Sequence, residues 1–376
     1  MDLSMNYRWI ENIEEFKTIS AKWDEALIAS GSYNPFLLSD FIISWWRHFC
    51  GGLRLQFFIG YGDSGSIVAG MPLYLKKWTI GSFGIRILNY VGGPFANYKE
   101  PFFSEDANAV SLFKEALISN KDWDALCLSD VRAGNILISR YEELAADKRF
   151  LSLIAQDHMN FEIDLSGGKD KYLSTIPKKL KKDLKQKRKH AVRDYGELRL
   201  VKAAGKEEVG RYFDIHSDFS NTAFNERNRK NSFETDNCRD FLKEFLSAMD
   251  EKGRLDAYAL FAGDNILAVI FGYRFGEGFN WAFTSFDYER RYVRPGYLLI
   301  EELIDEILRR KDAFCNCYGY ESFYKNQWCN KLTPLYRFCL MRHSLRGYFY
   351  EVFQEATGIL RSNKNITALS KKIKRR

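Results

Sequence analysis

The sequence predicts an α/β (α+β) protein made of two similar modules, each a mostly antiparallel sheet flanked by helices. Three observations carry that reading. At 376 residues the chain exceeds one typical domain. An apolar share of 46%, with 16% aromatic residues, is enough for packed cores and excludes disorder for most of the chain. Finally, one order of elements occurs twice, with residue matches at a fixed offset. Asp40-Phe41 matches Asp240-Phe241, and Arg54-Leu55 matches Arg254-Leu255. Asp124-Ala125-Leu126-Cys127 also resembles Asp312-Ala313-Phe314-Cys315. Each match is weak alone, and their shared order argues for duplication.

The first module opens with a short strand at Tyr7 to Ile10 and a helix over Ile13 to Ser30. Ser39 is the expected cap of a helix whose Phe41, Trp45 and Phe49 share one face. Leu53 to Tyr61 and Ser66 to Leu75, joined by Gly62-Asp63-Ser64-Gly65, read as a hairpin. Ile85 to Val91 is a further strand, broken by Gly92, Gly93 and Pro94. A helix over Asp106 to Asn120, a strand over Asp124 to Ser129 and a helix over Ala133 to Lys148 complete the module, and Phe161 to Leu165 is again a strand.

The second module repeats the order after a basic helix. Leu198 to Ala203 is a strand, while Glu207 to Phe219 and Asp240 to Ala248 are helical. Leu255 to Tyr273 is a hairpin turning at Gly263-Asp264-Asn265. Asn280 to Phe286 and Phe314 to Tyr318 are strands on either side of a helix. The boundaries that follow are 1–160 for the first module and 161–345 for the second, with its basic helix over 169–194. Residues 346–376 form a basic helical tail.

The helix between those last two strands organises the second module. Pro295 suits a first helical position, and Leu299, Ile300, Leu303, Ile304 and Ile307 recur at helical spacing. Arg290, Arg291 and Arg294 stand just before it, where cations oppose the helix dipole unless an anion sits among them. Free amides at a helix start, backed by guanidiniums, make a phosphate site. A solvated Arg cluster on an amphipathic helix fits the same residues. The equivalent stretch of the first module, GGPFANYKEPFF, is long and irregular.

Charge is uneven. Lys178 to His190 carries net +7 and Asn363 to Arg376 carries +6, against +7 for the whole chain, so the remainder is net −6. The basic helix keeps an apolar stripe at Leu173, Ile176, Leu180 and Leu184, and its cations suit nucleic acid, a nucleotide-linked sugar, anionic lipid or plain solvent. No nucleic-acid module accompanies it, which disfavours specific nucleic-acid reading. In the tail, Ile366, Leu369 and Ile373 stand among lysines, as in an interfacial helix on anionic membrane or a frayed solvated terminus. No apolar run approaches the ~20 residues of a membrane span, and the acidic N-terminus is unlike a secretory signal. Seven cysteines without a CxxC pair read as reduced, semi-buried residues of a cytoplasmic protein, peripheral to the membrane at most. No metal site is expected.

The element order, with a basic turn before a helix between the fourth and fifth strands, resembles the GNAT superfamily of N-acyltransferases. That family binds CoA pyrophosphate with Gln/Arg-x-x-Gly-x-Gly/Ala. The stretch Arg291-Tyr292-Val293-Arg294-Pro295-Gly296 matches at Arg291 and Gly296 and departs at Arg294, where the pattern has glycine. A closer resemblance is to tandem-GNAT proteins of the CelD-like group, found with bacterial cellulose and capsule biosynthesis and related in fold to Fem-type peptidyltransferases. Gly319-Tyr320-Glu321-Ser322-Phe323-Tyr324-Lys325-Asn326-Gln327-Trp328 resembles that group's Gly-x-Glu-x-x-Tyr-Lys-x-x-Trp. Asn34-Pro35-Phe36 followed by Trp45-Trp46-Arg47 also looks like the group.

The resemblance implies an acyl-CoA-dependent N-acyltransferase, with acetyl-CoA or another acyl-CoA as co-substrate. The acceptor would be a small-molecule or sugar-linked amine, such as an amino sugar of a surface polysaccharide. It places the donor between the strands Phe279 to Phe286 and Phe314 to Tyr318, with its pyrophosphate at Arg291, Arg294, Pro295, Gly296 and Tyr297. Acyl transfer also needs the ammonium deprotonated and the leaving thiolate protonated. Tyr324 suits the second task, or else packs its helix on the sheet. Asp287, Glu321 and His216 are candidate bases, with Glu321 and Asp287 preferred. Each has a plainer alternative, as a turn cap, a helix N-terminal acid or a packing residue. His216 and Lys325 could meet the acceptor, and a solvated Lys325 fits equally. Two rival readings stand beside this one: a Fem-type aminoacyl-tRNA-dependent transferase gripping tRNA with the basic helix, and a non-catalytic scaffold of a polysaccharide assembly complex.

Overall fold

A computed structural model describes residues 6–80, 83–104, 109–229, 231, 235–319 and 321–355. The expected tail over 363–376 lies outside them. The chain begins with β1 (Tyr7–Ile10) and α1 (Ile13–Ala29). Asn12 caps α1 by accepting from the Glu14 amide at 2.9 Å. Phe16, Trp23 and Leu27 are its buried stripe. In α2 (Ser39–Phe49) the cap position falls on Leu38 and Ser39 is already helical, which corrects the expected cap. Next come β2 (Arg54–Leu55), β3 (Phe57–Tyr61), β4 (Ile67–Met71), β5 (Leu73–Ile80), β6 (Phe83–Tyr90) and β7 (Phe102–Phe103). The helix α3 (Ala109–Ser119) leads to β8 (Ala125–Arg132). The single helix expected over 133–148 is two short ones, α4 (Ile136–Ser139) and α5 (Tyr141–Ala145), because Arg140 between them leaves helical geometry. The strand expected at Phe161 is the end of a 15-residue strand, β9 (Phe150–Asp164).

The expected basic helix is likewise divided, into α6 (Gly168–Thr175) and α7 (Lys178–Tyr195), because Pro177 cannot donate and Ile176 before it is extended. The second half continues with β10 (Leu198–Lys202), α8 (Gly205–Asn225), α9 (Asp236–Glu251), β11 (Leu255–Ala262), β12 (Asn265–Arg274) and β13 (Gly278–Phe286). It closes with α10 (Pro295–Arg310), β14 (Phe314–Tyr318), α11 (Lys325–Trp328) and β15 (Lys331–Arg342). All five stripe residues expected for α10 are buried.

The chain forms two compact units, and they are not consecutive segments divided at residue 160. Unit 1 comprises the described parts of Met1–Ser30, Gly52–Asp157 and Leu335–Arg376, and unit 2 comprises Gly31–Gly51 and His158–Pro334. In unit 1, β1, β3, β4 and β7 form one antiparallel sheet. There β6 pairs in parallel with β8, and β8 pairs antiparallel with β15. Cys127 and Cys339 face each other in that last pair, Cα to Cα 4.2 Å, because directly opposed antiparallel positions bring their side chains together.

In unit 2, β10 to β13 are antiparallel neighbours, β13 pairs in parallel with β14, and β14 pairs antiparallel with the end of β9. Successive residues of a strand point to opposite faces. Ala268 and Ile270 of β12 therefore join Leu299, Leu303 and Ile307 of α10 and Leu180 and Leu184 of α7 in one core. Phe271 lies on the other face, against Phe213 of α8 at 6.3 Å. α2 packs on α9, with Phe41 at 5.7 and 5.2 Å from Phe241 and Phe245. Glu244 fastens that contact through Ser44 at 3.0 Å, Arg47 at 2.6 Å and His48 at 3.0 Å.

Candidate active site

The strands β13 and β14 separate. They pair only as Gly278 with Phe314, Phe279 with Cys315 and Asn280 with Asn316, and β13 then runs on alone to Phe286. Side chains fix the fork. The Asn280 amide group donates to Tyr273 O at 3.3 Å and Phe275 O at 3.2 Å, and its Oδ1 accepts from Tyr318 Oη at 3.3 Å. Tyr318, at the end of β14, has φ +57, an uncommon conformation for a bulky residue. Lys325 holds that turn, its Nζ donating to Tyr318 O at 3.2 Å and Gly319 O at 2.6 Å. Gly319 is required there, since a Cβ would stand 2.3 Å from His158 Nε2.

On its other edge β13 carries a bulge. Phe271 faces Phe283 and Gly272 faces Trp281, which leaves Ala282 without a partner position. A bulge frees backbone groups from the ladder, and this one lies in the diverging part of β13.

Beyond Phe286 the chain makes the Arg-rich turn. Asp287 is buried, accepts from the Glu289 amide at 3.0 Å and the Arg290 amide at 3.4 Å, and pairs with the Arg290 guanidinium. It therefore has the partners of a turn cap. Arg291 to Val293 form one 3₁₀ turn, and Arg294 adopts φ 54, ψ 58. That left-handed conformation is the one glycine takes most easily. At the position where this chain departs from the family pattern, the backbone thus keeps glycine's geometry. Pro295 opens α10, and Gly296 lies so near β13 that a Cβ would stand 3.3 Å from Phe286.

The three arginines differ. Arg290 serves Asp287, and Arg294 pairs with Asp183 of α7. Arg291 is exposed, stacks on Tyr288 at 4.5 Å and donates to Tyr288 O at 3.1 Å. Among the described residues it makes no ion pair. α7 flanks the turn, tied to α10 by Arg188, which bonds Glu301 and Glu302 at 2.6 Å each. Its Lys178, Lys179, Lys181, Lys182, Lys185 and Lys189 are exposed. Tyr297 is half-buried, and its hydroxyl donates to Gln327 Oε1 at 2.9 Å.

Tyr324 stands across the fork from β13, its ring 5.9 Å from Trp281. The expected helix bearing it is only the four-residue α11, and Tyr324 is its N-cap. Burial pushes the phenol well above its usual range, so it holds its proton at neutral pH. Glu321 is exposed and accepts from Asn326 Nδ2 at 2.8 Å. Lys325 is buried at 9% exposure, and its carbonyl partners replace the expected solvent. Burial also lowers its pKa. His216 lies on the α8 face, its Nδ1 3.0 Å from Ser285 Oγ of β13 and its ring 4.6 Å from Phe283. Burial lowers its pKa to about 4, so it is neutral at pH 7.

The structure thus brings Arg291, Gly296, Tyr297, Tyr324 and Lys325 around one fork. Among the described residues no hydrogen bond joins Tyr324, Glu321 and Asp287 to one another. The strained Tyr318, the Ala282 bulge and the His216–Ser285 pair were missed. None has a sequence signal beyond the Asn280 and Asn316 amides, each set between apolar neighbours in its strand.

Residues 178–326 match the family model described as Acetyltransferase (GNAT) domain. No curated protein matches the chain in sequence. Among solved structures, FemX is similar with a TM-score of 0.64 at 9% identity, covering 89% of this chain and 98% of its own. A conserved protein of unknown function from Bacteroides thetaiotaomicron gives 0.54 at 13% identity, covering 88% and 99%. The C-terminal domain of a candidate lysylphosphatidylglycerol synthetase from Agrobacterium fabrum gives 0.50 at 12%, covering 87% and 92%. At such identities these likenesses concern the fold. The match to the GNAT domain model thus runs from α7 into α11, and the likeness in fold extends through most of the chain.

Proposed function

We propose that this protein transfers an acyl group from acyl-CoA to an amine, with the β13/β14 fork as the donor cleft. One observation carries the reading. The strands part after three paired residues, and the opening leads to the start of α10, where Arg294 keeps glycine's backbone conformation. A CoA pyrophosphate at that start would meet the Gly296 amide and the Arg291 guanidinium. Freed backbone at the Ala282 bulge suits a carbonyl oxygen gaining negative charge. Tyr324, protonated and across the fork from Trp281, gives its proton to the leaving thiolate. Glu321, exposed beside it, takes the acceptor's proton through solvent, whereas Asp287 holds the turn. His216 and Ser285 line the α8 side, where a neutral imidazole can accept a hydrogen bond from an ammonium. Support for an amino sugar of a surface polysaccharide as acceptor comes from the CelD-like resemblance.

A second reading, an aminoacyl-tRNA donor, is favoured by the exposed lysines of α7 beside the same turn. Calorimetry separates the two. Wild type should bind acetyl-CoA or a longer acyl-CoA, and Arg291→Ala should weaken it about tenfold, as for one charge-assisted contact of ~1.5 kcal/mol. Failure of every acyl-CoA at millimolar concentration, with salt-sensitive binding of charged over uncharged tRNA, would reverse the ranking.

A further inference from the structure

The helix over 345–355 of unit 1 presents an apolar face to solvent. Leu345 is 78% exposed, Val352 63%, Tyr348 and Phe349 43% each, and Phe353 38%. At about 100° per residue these five share one arc of roughly 140°, with Arg346 at one edge and Glu355 at the other. The opposite side fixes the helix, since Tyr350 is buried with Ile85, Ile87 and Met341. Phe353 also lies 4.6 Å from Trp78, and Phe349 5.3 Å from Phe83. The arc therefore belongs to a docked helix, and its outward atoms have no cover among the described residues.

The sequence that follows indicates what covers it. Residues 356–376 hold seven Lys and Arg and no Asp or Glu. Nucleic acid would pair with those charges but offers nothing to Leu345 and Val352. A second copy would oppose one cationic segment to another. A surface apolar below and negative at its face complements both features. We propose that the 345–355 helix, with the basic segment after it, docks unit 1 on an anionic lipid bilayer. Of the three aromatic rings beside Leu345 and Val352, Tyr348 suits the headgroup boundary, and Phe349 and Phe353 suit the apolar layer below it. Among the described residues no helix is long and apolar enough to cross a membrane. The inference does not depend on the acyl-transfer reading.

The test is co-sedimentation of the full chain with vesicles of phosphatidylcholine, alone or mixed with phosphatidylglycerol. Wild type should bind only the anionic vesicles. A Leu345→Ser, Val352→Ser double variant, checked for an unchanged melting temperature, should bind at least about tenfold more weakly. A variant with Lys371, Lys372, Lys374, Arg375 and Arg376 changed to Gln should also lose binding. Wild type that stays in solution with both vesicles, or a serine variant that binds equally well, overturns the proposal. A wild-type dimer that the serine variant breaks, with no vesicle binding by either, assigns the face to a second copy instead.

Discussion

The two units treat the same strand end in opposite ways. Aligning Asp124-Ala125-Leu126-Cys127 with Asp312-Ala313-Phe314-Cys315 sets Asp130 against Tyr318. Both are left-handed, at φ 60 and φ 57, and both adjoin a register irregularity. A lysine attends each, Lys99 bonding Ser129 Oγ at 3.2 Å and pairing with Asp130, Lys325 bonding Tyr318 O. The shared strain is independent support for duplication. The loops before the following helix differ. In unit 1 the stretch after β6 folds back onto the end of β8. Glu100, fully buried, accepts from Arg132 N at 3.0 Å and Nε at 2.7 Å, and the Arg132 guanidinium lies over the buried Tyr98 at 4.7 Å. In unit 2 the corresponding turn ends in exposed arginines and a helix start. One copy used its loop to close the strand end, and the other kept it open.

The short helix after each strand extends the contrast, because the same alignment sets Tyr324 against Ile136. Only unit 2 has a proton donor there. Tyr324→Phe keeps the ring and removes the proton, so turnover should fall by ~10²–10⁴ with acyl-CoA affinity unchanged. Steady-state kinetics with calorimetry on the same variant will show this. Equal turnover would leave Tyr324 as packing and remove the chemical part of the contrast.

Closure of unit 1 predicts the converse. Glu100→Ala leaves Arg132, less than a third exposed, beside an emptied buried site. Removing one partner of a buried pair costs ~3–5 kcal/mol, and the exposure of Arg132 sets the expectation near ~3. Urea unfolding measures the loss, while acyl-CoA affinity of the folded protein should not move. A matching drop in affinity would mean that unit 1 also contributes to the donor site.

Much of this was legible in the chain. The α10 stripe and the turn before it were readable because helical spacing and an Arg-Pro-Gly start are local signals. The exchange of elements was not. Phe41, Trp45 and Phe49 announce an apolar face on α2, but spacing cannot say that α9 of the other half covers it. Lys325 reads as solvated by residue type, and only the carbonyls exposed by the strained Tyr318 explain its burial. Tyr324 is singled out by resemblance alone, because the four-residue helix it caps is too short to show a periodicity.

The smallest expected effect concerns Arg294, and it separates shape from charge at the turn proposed to hold the donor. Its left-handed backbone costs a non-glycine residue ~1–2 kcal/mol, which Arg294→Gly would relieve. Against this stand the added freedom of the unfolded glycine, ~0.4–1 kcal/mol, and loss of the exposed Asp183 pair, ~0.2–1 kcal/mol. The terms nearly cancel, so stability should change by less than about 1 kcal/mol. If the residue matters through its backbone, acyl-CoA affinity should also hold. Arg294→Val, with a branched side chain at positive φ, should instead lose both stability and binding. Unfolding curves and calorimetry on the two variants decide it. If the glycine variant binds acyl-CoA as weakly as Arg291→Ala, then Arg294 contacts the donor through its charge, and its pairing with Asp183 must open on binding.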